Sequence, residues 1–513
     1  MQSHHGNDEK HGQLNETVQQ HGTLHSDKSS DQDVDQAYVF LSEAHANNET
    51  GQSVNMNALL RKIDWRIVPI MFLCYTMNFI DKVAYNYAAV MGLNKDLKLR
   101  GNDFTKTATA FFAAYLIAEI PTAYILNKVP VGKWLGVNVI LWGIAMACTA
   151  AAHDYSTLLA ARIFMGIFEA PVAPCLMLIS SQWYNKSEQA PRFALWYCGL
   201  GVGQIVGGLL SFAFQHVKHQ HFEGWKIMFV TLGCVTVVLG FATFFILPDA
   251  PMTAKFLSDA EKTALLQHVS ANQTGVLNRR FKVSQILEAL LDVQLWLLTL
   301  MTILPSISSG VVSTYSATLI KNFGYSPPVA ALLNMPSGAV SIASTLIVGY
   351  GVRLTSNRWA CFIGCCIPGI IGGGLMSFLP KHKQGGLLAG VYLVNFVVPT
   401  VIITYQWTAA NVAGHTKRAF STTLMAAAFG VGNIIGPQTF QAKDAPEYIP
   451  AKATVLATQG AAAVLAVVLF GYYVWASARR DREEVVTVRE DASDLVIWNN
   501  LTDKENRSFR YVY

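Results

Sequence analysis

The sequence predicts an all-α membrane protein, with twelve transmembrane helices in two six-helix halves. Three observations predict it. Apolar residues make up 52% of the 513, while Asp, Glu, Lys and Arg together reach only 14%, against about 25% in ordinary soluble domains. Twelve apolar stretches approach or exceed the roughly 20 residues that carry a helix across a bilayer. A polar connection over 248–291 then parts six of them from the other six. Such a composition excludes soluble enzymes and nucleic-acid binders. The net charge of +5 reflects basic residues gathered at span ends, where orientation in a membrane requires them.

Taken in order, residues 1–60 hold nine acids, two bases and six of the thirteen histidines, with no apolar run. This reads as a disordered acidic tail and not as a signal peptide, which needs a basic start and an apolar stretch. The N-terminal half, 61–247, carries spans near 66–85, 104–127, 134–152, 157–183, 191–215 and 226–247. In the connection, Ser258-Asp-Ala-Glu261 has the spacing of a capping box and predicts a short helix. The C-terminal half, 292–476, carries spans near 292–320, 328–352, 358–379, 385–409, 418–440 and 453–476, and 477–513 form a second polar tail. With both tails inside, 19 Lys and Arg fall on the inner side and ten on the outer, so both termini are expected in the cytoplasm. The eight cysteines lie in or beside apolar stretches without a pairing framework, and read as packing residues. Gly201-Val-Gly-Gln-Ile-Val-Gly207 in span five parallels Gly430-Val-Gly-Asn-Ile-Ile-Gly436 in span eleven, as expected of two duplicated halves.

Charge within a span is costly and points to a partner or a function. Asp81 and Lys82 end span one, Glu119 lies in span two, and Arg162 and Glu169 lie in span four. The interiors of spans seven to twelve offer neutral polar groups instead: Tyr315, Asn334, Asn395, Gln406, Asn411 and Asn433. Arg162 and Glu169 are two helical turns apart and share one face. Asn78, Asp81, Lys82, Tyr85 and Asn86 cluster on one side of span one, and Tyr115 and Glu119 are four apart in span two. These stripes suit one central cavity with an ion-handling N-terminal half. They also suit a structural network of Arg162 with Glu119 or Glu169. No metal-ligand set, P-loop or nucleophile motif appears, so neither a cofactor nor an enzymatic activity is expected.

Four stretches resemble the major facilitator superfamily, and within it the fungal allantoate permease branch of the anion:cation symporters. They are Asp81-Lys82 through Asn86-Tyr-Ala-Ala-Val-Met-Gly92; Ile120-Pro121 to Pro130-Val-Gly-Lys-Trp134; Arg162 to Glu169-Ala170 with Trp183-Tyr184 and Glu188 to Arg192; and Asn411 to Gly414-His-Thr-Lys-Arg418 with Gly432-Asn-Ile-Ile-Gly-Pro437 and Asp444-Ala-Pro-Glu-Tyr448. The resemblance implies the major facilitator fold and uptake of a small organic anion with protons. Allantoate, ureidosuccinate, vitamin-type carboxylates and dipeptides are the family's cargo. It makes the carboxylate of the Arg-x6-Glu pattern, Glu169, the proton-coupling candidate; Glu119 and Asp81, as charges within or at the end of spans, are further candidates. Lys82 stands where the animal relatives have arginine, which removes bidentate recognition of a carboxylate and leaves a point charge.

The substrate-binding candidates are Lys82, Asn86, Tyr115, Arg162, Tyr315, Asn334, Trp407, Asn411 and Asn433. The expected partners are a small organic anion, a proton and the lipid bilayer, for a monomer in the plasma membrane. Two other functions compete. Export by proton antiport would favour a Gly-Pro-x-x-Gly-Gly run in span five, where Gly203-Gln-Ile-Val-Gly-Gly208 has no proline. A nutrient sensor of another class would be expected to have a long, structured cytoplasmic extension.

Overall fold

The computed structural model describes residues 54–126, 128–216, 223–270, 282–355, 357–380, 382–444, 448–486, 502–505 and 509–513. The acidic segment 1–60 thus lies outside the described residues as far as residue 53, as do the connection residues 271–281. Among the described residues there is no strand, and twelve helices are long and apolar enough to cross a membrane. The first six are α1 (Met56–Met91), α2 (Asp103–Leu126), α3 (Val131–Ala151), α4 (Tyr155–Ser180), α5 (Pro191–Gln215) and α6 (Gly224–Ile246). The second six are α7 (Val293–Asn322), α8 (Pro327–Val352), α9 (Arg358–Phe378), α10 (Gln384–Asn411), α11 (Thr416–Gln438) and α12 (Ile449–Arg482).

Each expected span is present, and the ends follow local chemistry. α1 begins well before residue 66 because Asn55 caps it, its side chain accepting the Ala58 amide. It stops where Gly92 adopts φ +118°, a conformation that a side chain would strain. α4 starts at a reciprocal capping box between Asp154 and Thr157. The Ser258 box forms as well: the Ser258 amide donates to Glu261 at 2.9 Å and the Glu261 amide to the Ser258 hydroxyl at 3.3 Å. It opens the helix Asp259–Ser270. Residues 477–486, expected as tail, continue the last helix to Val486.

Four spans are interrupted within their length among the described residues, α5 at Cys198, α8 at Asn334, and the equivalent pair α4 and α10. α4 breaks after Glu169, at Ala170-Pro171, before resuming at Val172. α10 passes through a 3-10 turn at Asn395–Val397 ahead of Pro399. Interrupted helices in matching places of two halves mark the binding region of repeat-built transporters.

The glycine repeat has the same use in both halves. A Cβ at Gly203 would stand 3.0 Å from the Thr76 carbonyl of α1, and one at Gly432 would stand 2.7 Å from the Ile303 carbonyl of α7. Small residues at these contacts let helix backbones approach closely. The pairs α1/α5 and α7/α11 are therefore counterparts.

One membrane face, where α1 begins, collects the basic residues and is called the basic face below. There Arg192 grips Asp64 with two bonds of 2.7 and 2.8 Å. Lys62 meets Glu261 at 2.8 Å and His268 meets Glu188 at 2.9 Å, which lays the connecting helix across the ends of α1 and α5. Toward the opposite face the two halves are sewn together. Thr105 and Tyr315 hydroxyls lie 2.6 Å apart, Asn102 donates to Gln441 at 2.8 Å and Gln438 donates to Thr109 at 2.6 Å. Tyr315 also stacks on Phe440, with centroids 4.2 Å apart.

Candidate functional site

The charged residues of α1 and α4 meet at the level of the α4 break. Lys82 forms an ion pair with Glu169, and Asn78 braces both: its Nδ2 donates to Glu169 Oε1 at 2.8 Å, while its Oδ1 accepts from Lys82 Nζ at 2.7 Å. The one-turn spacing of Asn78 and Lys82 makes this possible. Glu169 is fully buried, whereas the Lys82 side chain keeps 10% exposure. Of the pair, Lys82 is therefore the side chain that keeps some exposure. Glu169 Oε2 has no hydrogen-bond partner.

Asp81 is fully buried on the adjoining side of α1. It accepts a 3.0 Å bond from the Trp142 indole of α3, and its second oxygen has no partner. Arg162 lies with its guanidinium 3.5 Å from the centre of the Tyr85 ring, a cation–π contact strengthened by burial. Its Nε and Nη2 find no hydrogen-bond partner, although Asp81 and Glu169 are both within electrostatic reach. Arg162 thus interacts at range with Glu169, one of the two partners expected for it, and with Asp81, while the contact partner of Glu169 is Lys82. Two cations and two carboxylates balance in this cluster. Breaking one member of such a buried set costs about 3–5 kcal/mol.

Tyr115 on α2 lies within electrostatic reach of both Glu119 and Glu169. Glu119 is buried, with Oε2 unpartnered, and it senses Tyr405 of α10 across the interface between the halves. The remaining candidates lie elsewhere. Asn86 sits 3.0 Å from the Ser316 hydroxyl, and Asn334 donates to Tyr87 at 3.1 Å and to Ser316 at 2.9 Å. With Tyr315 they belong to the seam between the halves. Asn433 donates to its own helix at Phe429, beside Gly310 of α7. Trp407 and Asn411 lie at the basic face and bind the backbone of Val512. They do not join the charged cluster.

Sequence reasoning missed Trp142, Tyr405 and the bracing role of Asn78. Trp142 and Tyr405 fall within apolar runs, where no spacing signals a polar contact. Asn78 was visible in the α1 stripe.

Residues 71–437 match the family model of the Major Facilitator Superfamily. The chain belongs to this superfamily. It is 37% identical over 456 residues to the thiamine pathway transporter THI73 of Saccharomyces cerevisiae, covering 89% of this chain and 86% of that one. It is 30% identical over 493 residues to the allantoate permease of the same yeast, covering 93% and 90%. Two solved structures of a bacterial homologue of the human lysosomal transporter Spinster superpose with TM-scores of 0.55 and 0.54 at 17% identity, covering 80% of this chain and 96% of theirs. At that identity the likeness concerns the fold alone. This protein is thus a multi-pass major facilitator transporter of the fungal type, and its relatives are transporters and permeases, not enzymes.

Proposed function

We propose that this major facilitator imports a small organic anion by proton symport, in the class of allantoate, ureidosuccinate, vitamin-type carboxylates or dipeptides. The observation that carries this reading is the Lys82–Glu169 pair, in which Glu169 is fully buried and the Lys82 side chain keeps 10% exposure. While Glu169 is ionised it occupies Lys82. A proton taken up by Glu169 weakens the pair, and the carboxylate of a substrate then replaces it on Lys82. Arg162, with unpartnered N–H groups nearby, adds a second cationic contact, and Tyr115 and Glu119 continue the polar path along α2. Proton and anion enter together and leave together, since departure of the anion returns Lys82 to an ionised Glu169.

The energetics favour such coupling. A lone anion entering a negative cell costs about 2.3 kcal/mol per charge per 100 mV, and one accompanying proton cancels that term. In this reading the basic face is cytoplasmic, the membrane is the plasma membrane and a monomer suffices. The seam holds the halves together at the opposite face, so in this reading Lys82 is approached from the cytoplasm. Rocking of the halves exposes it to the other side.

Uptake of a labelled panel by cells expressing the chain tests this, at pH 5 and pH 7.5, with and without a protonophore. The panel holds allantoate, ureidosuccinate, nicotinate, pantothenate, biotin, a dipeptide and, because of the 37% relative, thiamine. Accumulation of one anion, faster at pH 5 and abolished by the protonophore, is expected. Accumulation of thiamine alone, or no effect of the protonophore, rejects anion symport.

A further inference from the structure

Residues 502–505 and 509–513 lie against the basic-face ends of the C-terminal half and are held by specific polar contacts. Asp503 is fully buried, which a carboxylate tolerates only when its oxygens are well satisfied. It accepts from Lys417 at 2.6 Å, from Gln294 at 2.9 Å and from Tyr511 at 3.1 Å. Lys417 in turn meets Asp292 at 2.7 Å and Glu288 at 2.9 Å. Arg480 of α12 donates to the Phe509 carbonyl at 2.6 Å, and to the Asp503 carbonyl and Tyr511 hydroxyl at 2.9 Å each.

The backbone is recognised as well. The Val512 amide donates to Asn411 Oδ1 at 2.8 Å, and Asn411 Nδ2 donates back to the Val512 carbonyl at 2.8 Å. That carbonyl also takes the Trp407 indole N–H at 2.9 Å. Asn411 therefore pairs with the segment as another backbone would. Thr502 and Glu505 close a reciprocal cap at 2.9 and 3.1 Å, and the Tyr511 ring packs on Tyr473 with centroids 5.1 Å apart.

The place of the segment relative to the cleft follows from α10. Tyr405 faces the N-terminal half, within electrostatic reach of Glu119 and Tyr197. Trp407, two residues on, points about 200° away around the helix and packs on Tyr473 of α12. The segment therefore lies on the side of α10 turned away from the cleft. Among the described residues its side-chain contacts fall on the helix Val283–Leu290, at the end of the connection, and on α7, α10, α11 and α12.

We propose that the basic face of the C-terminal half is a peptide-docking site occupied by this chain's own residues 502–505 and 509–513, and that docking ties the ends of α7, α10, α11 and α12 into one rigid unit while leaving the path between the halves open. The segment is a strap and not a plug.

A protease recognition sequence inserted within 489–496 lets the strap be cut from the folded, purified full chain. A fluorescent peptide covering residues 499–513 is then titrated against the cut protein, alongside the same peptide carrying Asp503→Asn. Saturable binding is expected, with the Asp503→Asn peptide weaker by about tenfold or more, as for loss of a buried charge-assisted contact. Hydrogen exchange after release is expected to rise several-fold at 292–294 and 411–417 and to stay unchanged in α1–α6. No peptide binding to cut protein that stays monodisperse, equal affinity of the two peptides, or unchanged exchange overturns the proposal. In the uncut chain, Asp503→Asn should raise exchange at 509–513 several-fold, and unchanged exchange there overturns it equally.

Discussion

Lys82 and Glu169 carry the sharpest residue-scale expectations. Lys82→Gln leaves the fully buried Glu169 facing Asp81, so this single variant should lose about 3–5 kcal/mol of stability. Removing both charges as Lys82→Gln with Glu169→Gln should restore most of it, read as the melting temperature of purified protein. Uptake should separate the two roles. Glu169→Gln is expected to retain binding of the anion but lose the difference between pH 5 and pH 7.5. Full uptake that remains pH-dependent in that variant would remove Glu169 from the coupling step. Trp142→Phe takes away the donor to Asp81 Oδ2 while keeping most of the ring. An orphaned buried acceptor costs about 1–3 kcal/mol, so a lower melting temperature is expected here too.

At the scale of elements, the glycines of α11 and α12 make a contrast. A Cβ at Gly432 would stand 2.4 Å from Ser306 Cβ and 2.7 Å from backbone of α7, whereas one at Gly460 meets nothing within 4 Å. Gly432→Ala should therefore cost about 1–3 kcal/mol by overpacking, while Gly460→Ala should be neutral or gain up to about 1 kcal/mol of helix propensity. Monodispersity after mild heating checks both. The connecting helix supplies a pH dependence. Burial pushes Glu261 up, but hydrogen bonds from Lys62 and the Ser258 backbone outweigh it and hold the carboxyl below its ordinary 4.5. The tether is then complete above that value and is lost as pH falls through the lowered one. Lys62 is 45% exposed, so the pair is worth about 1 kcal/mol or less. The stability difference between wild type and Glu261→Gln should be present at pH 7 and shrink as the pH is taken below 4.5. These elements were largely legible in the sequence, because a bilayer demands about 20 apolar residues per crossing and because capping boxes and close-packing glycines are local. The contacts of Lys417 were not. Its partner Asp503 is 86 residues away, and a basic residue beside a span end reads simply as an orientation signal. For the same reason Trp407 and Asn411 looked like cavity residues until their contact with Val512 was seen.

Over the whole molecule, the seam away from the basic face sets one arrangement of the two halves. Thr109 and Gln438 face each other across it at 2.6 Å. Cysteines at both positions, in a background lacking the exposed Cys148 and Cys234, should cross-link under oxidation, stop uptake, and release it on reduction. Uptake that continues in fully cross-linked protein would mean the seam need not open. The halves share a plan, as the paired contacts of Gly203 and Gly432 testify, yet the cluster of Asp81, Lys82, Arg162 and Glu169 belongs to one of them. This asymmetry bears on how such a carrier diversifies. On the proposed symport, the body holding these four charges is constrained by them, whereas the facing body can vary its neutral polar groups without touching that cluster. Exchanging α7–α12, together with its strap, for those of a relative should therefore alter what is carried while preserving what drives it.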